Sequence, residues 1–259
     1  MRVAALFLFV TLGLPLSAGP FSADVAVLGE LHDNPYHHVR QAEIVADLKP
    51  RALVFEMLTR DQALAHLPGG DEAALAQAFD WANSGWPDFA MYYPIFSSAP
   101  DALVLGAGVP RSTARAAMKD GLIAAFGNGA EAYGLTVPLD EAEQKAREAL
   151  QMAAHCNALP NDILPAMVDI QRLRDAELAR TTLRAFELTG GPVVVITGNG
   201  HARSDWGMPA YLKQAAPGLT IVALGQGEGA IAPEGTFDVV EMTAGVERAD
   251  PCEAFQSQD

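Results

Sequence analysis

The sequence predicts an α/β fold, in which a mostly parallel central sheet carries helices on both faces and an inserted helical hairpin forms a lobe. Short apolar runs alternate with longer segments whose apolar residues recur every three or four positions, the pattern of strands joined by helices. The runs are continuous, as expected for strands buried on both sides. At 259 residues, half of them apolar, the chain is long enough for one substantial core and short for two domains.

Six apolar runs are predicted to form the strands. The fourth, VVVIT, follows Pro192 directly and is the strongest strand signal in the chain. We expect the last to lie at the edge of the sheet. The predicted strands cover residues 23–28, 52–55, 103–107, 193–197, 220–224 and 237–241.

Helical periodicity fills the connections between these strands. A helix from about residue 37 separates the first two strands, and such a strand, helix, strand unit favours parallel pairing. Asp140 with Glu143 three residues later resembles a capping box and predicts a helix start. Two helices, within residues 140–190, form the predicted hairpin, which we expect to be a lid, a secondary lobe or a dimer surface. Further helices are predicted at residues 61–67 and 72–79 and from residue 111.

The first 18 residues have the composition of a secretory signal peptide. One arginine precedes a short apolar run that ends in Pro15 and small residues. The run is well short of the roughly 20 residues of a transmembrane helix, so no stable membrane span is expected after cleavage. No cysteine follows it, so lipid attachment is not indicated. We therefore expect an exported protein, periplasmic in a Gram-negative bacterium, with a single domain over residues 19–259.

The net charge of the chain makes some classes of binding partner unexpected. The net charge is −15, and the acidic residues are spread along the sequence. Nucleic acids and anionic membranes require a basic face, so neither is an expected partner.

Cys156 and Cys252 are the two cysteines of the chain. An even pair in an exported protein favours a disulfide, which would join the C-terminal tail to the helical insertion. The alternative is a pair of free thiols.

Residues 81–100 are rich in aromatic side chains. Glycine and proline interrupt them at Gly85, Pro87, Pro94 and Pro100, so the stretch is not expected to form one regular element. The aromatic side chains either pack on the core as an ordinary connection or form the wall of a pocket for a flat apolar ligand.

Three of the predicted strands are followed by ionisable side chains that could bind a ligand or act in catalysis. Glu30 and His32 follow the first strand, Glu56 the second and His201 the fourth. Ligands of open parallel sheets bind beyond the carboxyl ends of the strands, so these side chains should converge if the strands are neighbours. They suit a metal site or general acid–base work. Alternatively, Glu30 is a buried carboxylate satisfied by backbone N–H groups, His32 caps a turn and His201 is a core histidine.

Other polar residues near these strand ends are weaker candidates. His37 and His38 open a helix, and we expect one of them to face solvent and neither to act. Arg203 carries a fork of donors that can clamp a carboxylate. The GNG segment before His201 lacks the spacing of a dinucleotide or Walker loop, so nucleotide binding is not predicted.

Four segments, in order, resemble the ChaN family of haem-binding uptake proteins. They are LGELHDNPYHH with the following Gln41, VFEML, WANSGWPDFAMYYPIF and TGNGHARSDWGMP. The resemblance implies an exported protein of haem or iron acquisition that can hold haem at a homodimer interface, with the two porphyrins face to face. ChaN proteins are often lipoproteins, and this chain departs from them because it has no cysteine at the signal cleavage site.

Haem requires an apolar slot, an axial ligand for iron and donors for two propionates. The aromatic stretch can supply the slot, and Tyr92 or Tyr93 the iron ligand. His201 or another histidine can ligate or hydrogen-bond the haem, and Arg203 can meet a propionate. Of these candidates, a tyrosine is the preferred iron ligand.

The resemblance also implies an alternative function. ChaN belongs to a wider superfamily with TIKI, TraB and erythromycin esterase branches, which carries glutamate and histidine at the positions of Glu30, His32, Glu56 and His201. In the esterase and TIKI branches these residues serve hydrolysis, with a metal in the latter. The alternative is therefore a hydrolase, which uses the four residues either as metal-free acid and base or around a divalent metal bound by Glu30, His32 and His201.

Overall fold

A computed structural model describes residues 19–250 and 252–253 of the chain. The predicted signal peptide, residues 1–18, lies outside the described residues. Six strands form one sheet: β1 (Val25–Glu30), β2 (Ala52–Phe55), β3 (Leu103–Gly106), β4 (Val193–Gly198), β5 (Ile221–Glu228) and β6 (Val239–Thr243). Their spatial order is β3-β2-β4-β1-β5-β6, and every pairing is parallel. The fold class predicted from the sequence is therefore confirmed.

Helices fill the connections between the strands. Two single turns of 3-10 helix, at Trp81–Asn83 and Asn161–Ile163, accompany them. The α-helices are α1 (Pro35–Leu48), α2 (Arg60–Leu64), α3 (Glu72–Ala78), α4 (Phe89–Ser98), α5 (Arg111–Asp120), α6 (Leu122–Phe126), α7 (Glu141–Ala154), α8 (Leu164–Thr189), α9 (Asn199–Ala202) and α10 (Met208–Ala215).

Two layers of core lie on the two faces of the sheet, because successive side chains of a strand point to opposite faces. In β1, Ala26 and Leu28 pack into the layer that contains α1 and α4. Val25 and Val27 pack into the other layer, beneath α5, α6, α8 and α10. Burial on both faces explains why the strand sequences are continuously apolar.

The aromatic stretch contains two separate helical segments. The 3-10 turn at Trp81–Asn83 is followed by an irregular connection, and α4 then runs through Pro94. The prediction that residues 81–100 do not form one regular element is confirmed, although the two helical segments cover most of the stretch.

The late hairpin consists of α7 and α8. Asp140 caps α7 by accepting a hydrogen bond from the Glu143 amide at 2.8 Å, as the spacing predicted. The 26-residue helix α8 packs directly on the sheet, with Leu173 and Ala176 in its core layer. This helix therefore forms part of the main core, and α7 lies against it.

A disulfide joins Cys156, just after α7, to Cys252 in the C-terminal tail, with their Cα atoms 5.4 Å apart. This confirms the predicted pairing. Among the residues that the structure describes, no helix combines the length and the apolar character needed to cross a membrane.

Candidate functional site

A cleft of about 1240 Å³ opens beyond the carboxyl ends of β1, β2 and β4. Glu30 is the last residue of β1, Glu56 follows β2, and His201 lies on α9 directly after β4. These three residues and His32 all line the cleft. Parallel strands bring their carboxyl ends to one edge of the sheet, which is why residues far apart in sequence meet here.

Glu30 is a fully buried carboxylate with three side-chain donors. Its Oε1 accepts hydrogen bonds from His32 Nδ1 at 2.8 Å and from the Tyr92 hydroxyl at 2.9 Å. Its Oε2 accepts one from Gln41 Nε2 at 2.9 Å. Burial opposes ionisation, but the bond from His32, the nearby charges of His38 and His32 and the Gln41 amide together lower the pKa of Glu30. The carboxylate is thus charged, and its donors are side chains rather than the backbone N–H groups of the alternative interpretation.

Glu56 is the second buried carboxylate of the cleft. The Thr197 hydroxyl and the Gly198 amide donate to its Oε2 at 2.6 and 2.9 Å. Burial raises its pKa, but the charges of His201 and His32 and these two hydrogen bonds outweigh that effect and lower the pKa of Glu56 to about 2. Glu56 therefore remains ionised across the physiological range.

His201 lies between two carboxylates. Its Nδ1 donates to Asp175 Oδ1 at 2.6 Å, and its Nε2 is 3.6 Å from Glu56 Oε1. Burial lowers the pKa of His201, but the charges of Glu56 and Asp175 dominate and raise it. Burial also raises the pKa of the Asp175 carboxyl. The resulting Glu56, His201, Asp175 arrangement can hold and transfer a proton at the wall of the cleft.

His32, with 31% of its side chain accessible, is more exposed than Glu30, Glu56, His201 and Arg203. Its ring lies 4.8 Å from that of Trp86, which also lines the cleft. A Cβ atom at Gly198 would lie 2.9 Å from His32 Nε2, so only glycine there leaves the ring this position. Burial lowers the pKa of His32, yet the bond to Glu30 and the charge of Glu56 raise it to about 9.

His37 and His38 are both fully buried, so the prediction that one of them faces solvent is wrong. The Leu31 amide donates to His37 Nδ1, and His37 Nε2 lies 3.2 Å from the Gly227 carbonyl. His38 Nε2 donates to the carbonyl of His32 at 2.9 Å. Both imidazoles therefore support the chain around Glu30, a role consistent with their place at the start of α1.

The two candidate tyrosines do not line the cleft. Tyr92 is completely buried, and its hydroxyl donates to Glu30, so its oxygen has no access to a ligand in this structure. Tyr93 is half-buried and lines a separate cavity of about 180 Å³ with His66. Of the aromatic residues in the stretch, Trp86 lines the cleft, whereas Trp81, Phe89, Tyr92 and Phe96 belong to the core.

Arg203 lines the cleft with its guanidinium already engaged. Its Nε and Nη2 donate to the Asp205 carboxylate at 2.7 and 2.6 Å. The guanidinium carbon lies 3.7 Å from the centre of the Trp206 ring. Asp205 and Trp206 hold Arg203 in place and neutralise it, which makes it a weaker ligand for a further carboxylate than the sequence suggested.

Several cleft residues were missed by the sequence reasoning, and Asp175 is the clearest example. It lies in the middle of α8, between apolar residues that face the core. An acidic residue on the apolar face of a helix requires a partner, and this pattern could have identified it. The other missed residues of the cleft that matter below are Arg111, Arg147, Gln151, Arg174 and Trp206.

The donor set of the cleft is compatible with haem. His32 and His201 each hold a carboxylate at Nδ1, the arrangement that orients an imidazole for iron at Nε2. Trp86, Leu150 and Leu178 provide apolar lining. For a bare metal ion, the described residues contain no group of three or more His, Cys, Asp or Glu side chains placed to bind it.

Comparison with known proteins adds a family and a fold. The family described as haem-binding uptake, Tiki superfamily, ChaN matches residues 21–212. No curated protein matches the sequence. A solved structure described as cofacial haem binding to ChaN of Campylobacter jejuni shares the fold, with a TM-score of 0.63 and 20% identity over 84% of this chain and 86% of that chain.

Two other solved structures are more distant. A succinoglycan biosynthesis protein has a TM-score of 0.40 and 13% identity, over 82% of this chain and 67% of that chain. A Bacillus cereus protein has a TM-score of 0.35 and 15% identity, over 92% of this chain and 74% of that chain. Neither similarity is strong enough to bear on function.

Proposed function

Because the chain belongs to the ChaN family of haem-binding uptake proteins, within the Tiki superfamily, we propose that it binds haem in the cleft at the carboxyl ends of β1, β2 and β4. The observation that carries the proposal is the cleft itself, which combines apolar and aromatic walls with two carboxylate-held histidines and several arginines. Its volume of about 1240 Å³ exceeds the roughly 300–1,000 Å³ of common ligand pockets, so the cleft has room for a ligand as large as haem.

His32 is the residue that would hold the haem iron. It is more exposed than His201, the other histidine of the cleft, and Glu30 holds its Nδ1, so that Nε2 would remain for iron. Trp86 restrains the other side of the ring. Ligation requires Nε2 to release its proton to solvent, while the Nδ1 proton stays with Glu30. Bound haem would supply an iron centre and a strong visible absorption.

Haemin titration of the protein comprising residues 19–259 tests the proposal. A saturable Soret shift with about one haem per chain is expected, and the absence of a saturable shift would overturn it. His32→Gln keeps a donor for Glu30 but removes the imidazole, so it should change the ligand-sensitive bands without unfolding the protein. His201→Gln and Tyr93→Phe are the comparison variants. If Tyr93→Phe alone changes the bands, the axial ligand is Tyr93.

The proposal extends to export and assembly. The protein would act in haem or iron acquisition after signal cleavage, in the periplasm of a Gram-negative cell, with haem at the interface of a homodimer. Light scattering with and without one equivalent of haemin tests the assembly. A mass of two chains in the haem-loaded sample is expected, and a monomer in both samples would refute the dimer but leave haem binding intact.

A second candidate function is hydrolysis. The specific observation that favours it is His201, whose two ring nitrogens lie 2.6 Å from Asp175 and 3.6 Å from Glu56 at the cleft wall. Together, the Glu56 carboxylate and the His201 imidazole can act as base and acid in hydrolysis. The test is turnover of ester and amide substrates by the purified protein, which Glu30→Gln or His201→Gln should abolish in a folded variant. Elemental analysis of the same sample distinguishes a divalent-metal version from a metal-free one.

A further inference from the structure

Four arginines line the cleft, and two of them, Arg147 and Arg203, form ion pairs with acidic side chains. Arg147 is buried and pairs with Glu143 on its own helix, and it also lies 5.0 Å from the centre of the Trp206 ring. Arg203 pairs with Asp205 through two hydrogen bonds. The charge of each is already balanced within the protein.

Arg111 and Arg174 are the other two arginines of the cleft. Among the residues that the structure describes, neither guanidinium forms an ion pair or a hydrogen bond, although the chain has 32 acidic residues against 17 basic ones. Arg111 is the exposed first residue of α5, and Arg174 is half-buried on α8. Arg174 and His201 line the same cleft, and the charge of Arg174 lowers the pKa of His201.

A buried amide on the cleft wall points to a missing ligand atom. Gln151 of α7 is only 7% exposed and lines the cleft, and its Oε1 has no hydrogen-bond partner within the part of the chain that the structure describes. A buried polar group without a partner is unfavourable, so native structures leave one mainly where a ligand or water completes it. The amide can present either its oxygen or its NH₂ group, because the two are interchanged by a rotation of the side chain.

We infer that Arg174 and Arg111 bind the carboxylates of the cleft's ligand, with Gln151 as an additional polar contact. The inference rests on the haem-binding function proposed above, for which these carboxylates are the two porphyrin propionates. A guanidinium offers parallel N–H donors that match a carboxylate, and these two guanidinia are uncommitted. Glu30 and Glu56, at the strand ends, repel the same groups, so the charges of the cleft would orient the ligand.

The inference is tested by comparing haemin with haemin dimethyl ester, which keeps the porphyrin and iron but lacks the propionate charges. Wild-type protein should bind haemin about tenfold or more tightly than the ester. Arg174→Gln and Arg111→Gln should each lose roughly tenfold in affinity for haemin and leave the affinity for the ester unchanged. Soret titration at constant ionic strength measures all of these constants.

Matched control variants lie on the same two helices. Arg115→Gln is one turn beyond Arg111, and Arg184→Gln changes an exposed residue of α8 that is paired with Glu187; neither residue lines the cleft. Both should bind haemin as the wild type does.

The outcomes separate the inference from the function on which it rests. If haemin and the ester bind equally well to the wild type and to both arginine variants, the assignment of Arg174 and Arg111 is overturned and the haem site stands. If neither ligand binds the wild type saturably, the proposed function fails, and the propionate assignment fails with it.

Discussion

Replacing Tyr92 with phenylalanine removes one hydrogen bond to the buried Glu30 carboxylate and leaves the packing of the ring unchanged. The phenol is completely buried and donates to Glu30 Oε1 over 2.9 Å. Burial and the negative charge of Glu30 both raise the pKa of Tyr92, so the hydroxyl keeps its proton and acts as a donor. The substitution therefore tests the charge of Glu30 as well as the bond.

The expected cost follows from the partners that Glu30 retains. A hydrogen bond to a charged group contributes about 1.5–3 kcal/mol, and loss of one leaves Glu30 with His32 and Gln41. We expect Tyr92→Phe to lower the free energy of unfolding by about 2 kcal/mol at pH 7. For a chain of this size, that corresponds to a fall in Tm of about 4–8 °C.

Urea unfolding followed by circular dichroism measures this cost. Tyr133→Phe is the matched control, because Tyr133 is also buried but its hydroxyl forms no hydrogen bond with the residues that the structure describes. It should change the free energy of unfolding by less than about 0.5 kcal/mol. A Tyr92→Phe variant as stable as this control would refute the interpretation of Glu30 as a buried, charged acceptor. The haem spectrum of Tyr92→Phe should match that of the wild type.

The remaining predictions concern pH, the disulfide and backbone packing. Glu56, with its pKa lowered from 4.5 to about 2, should contribute up to about 3 kcal/mol of stability that is complete above pH 4.5 and lost as the pH falls toward 2. His32, with its pKa raised from 6.5 to about 9, should contribute stability that is complete below pH 6.5 and lost as the pH rises through 9. The Tm should therefore be highest between about pH 5 and 6.5. If Glu56→Gln does not change the fall in Tm at low pH, or His32→Gln does not change the fall in Tm at high pH, the corresponding assignment is wrong. Replacing both Cys156 and Cys252 with serine opens a link between positions 96 residues apart and should cost about 2–4 kcal/mol in urea unfolding, whereas wild-type stability would show that the link is absent in solution. Gly29→Ala should lower the free energy of unfolding by about 1–3 kcal/mol, because its Cβ would meet a side-chain oxygen of α9 at 2.5 Å and a backbone carbonyl of β5 at 2.7 Å. A variant as stable as wild type would show that both elements can move aside.

The convergence of Glu30, Glu56 and His201 could be predicted from the sequence. Each follows an apolar run that forms a strand, and parallel connections bring all such ends to one edge of the sheet. No side-chain geometry is needed for that inference, only the order of strands and helices. The disulfide could also be predicted from the sequence, because the chain contains only two cysteines.

The roles of Tyr92 and Tyr93 could not be predicted in the same way. Adjacent residues of a helix point about 100° apart, so one faces the core and the other does not, and the packing of α4 against the sheet decides which. The sequence placed both in an aromatic stretch that suited a ligand pocket. The structure places Tyr92 beneath Glu30 and Tyr93 in a separate small cavity.

The sequence by itself determined the fold class, the order of the elements, the family and the edge of the sheet at which the cleft forms. These properties follow from local patterns of apolar residues and from short motifs, both of which can be identified in the amino-acid sequence. Only the tertiary structure decided which polar groups are already paired. Asp175 reaches His201 from a helix 26 residues earlier in the chain, and Asp205 neutralises Arg203. Such pairings depend on how whole helices pack on the sheet, and among the described residues they leave the cleft arginines Arg111 and Arg174 without an ion-pair partner.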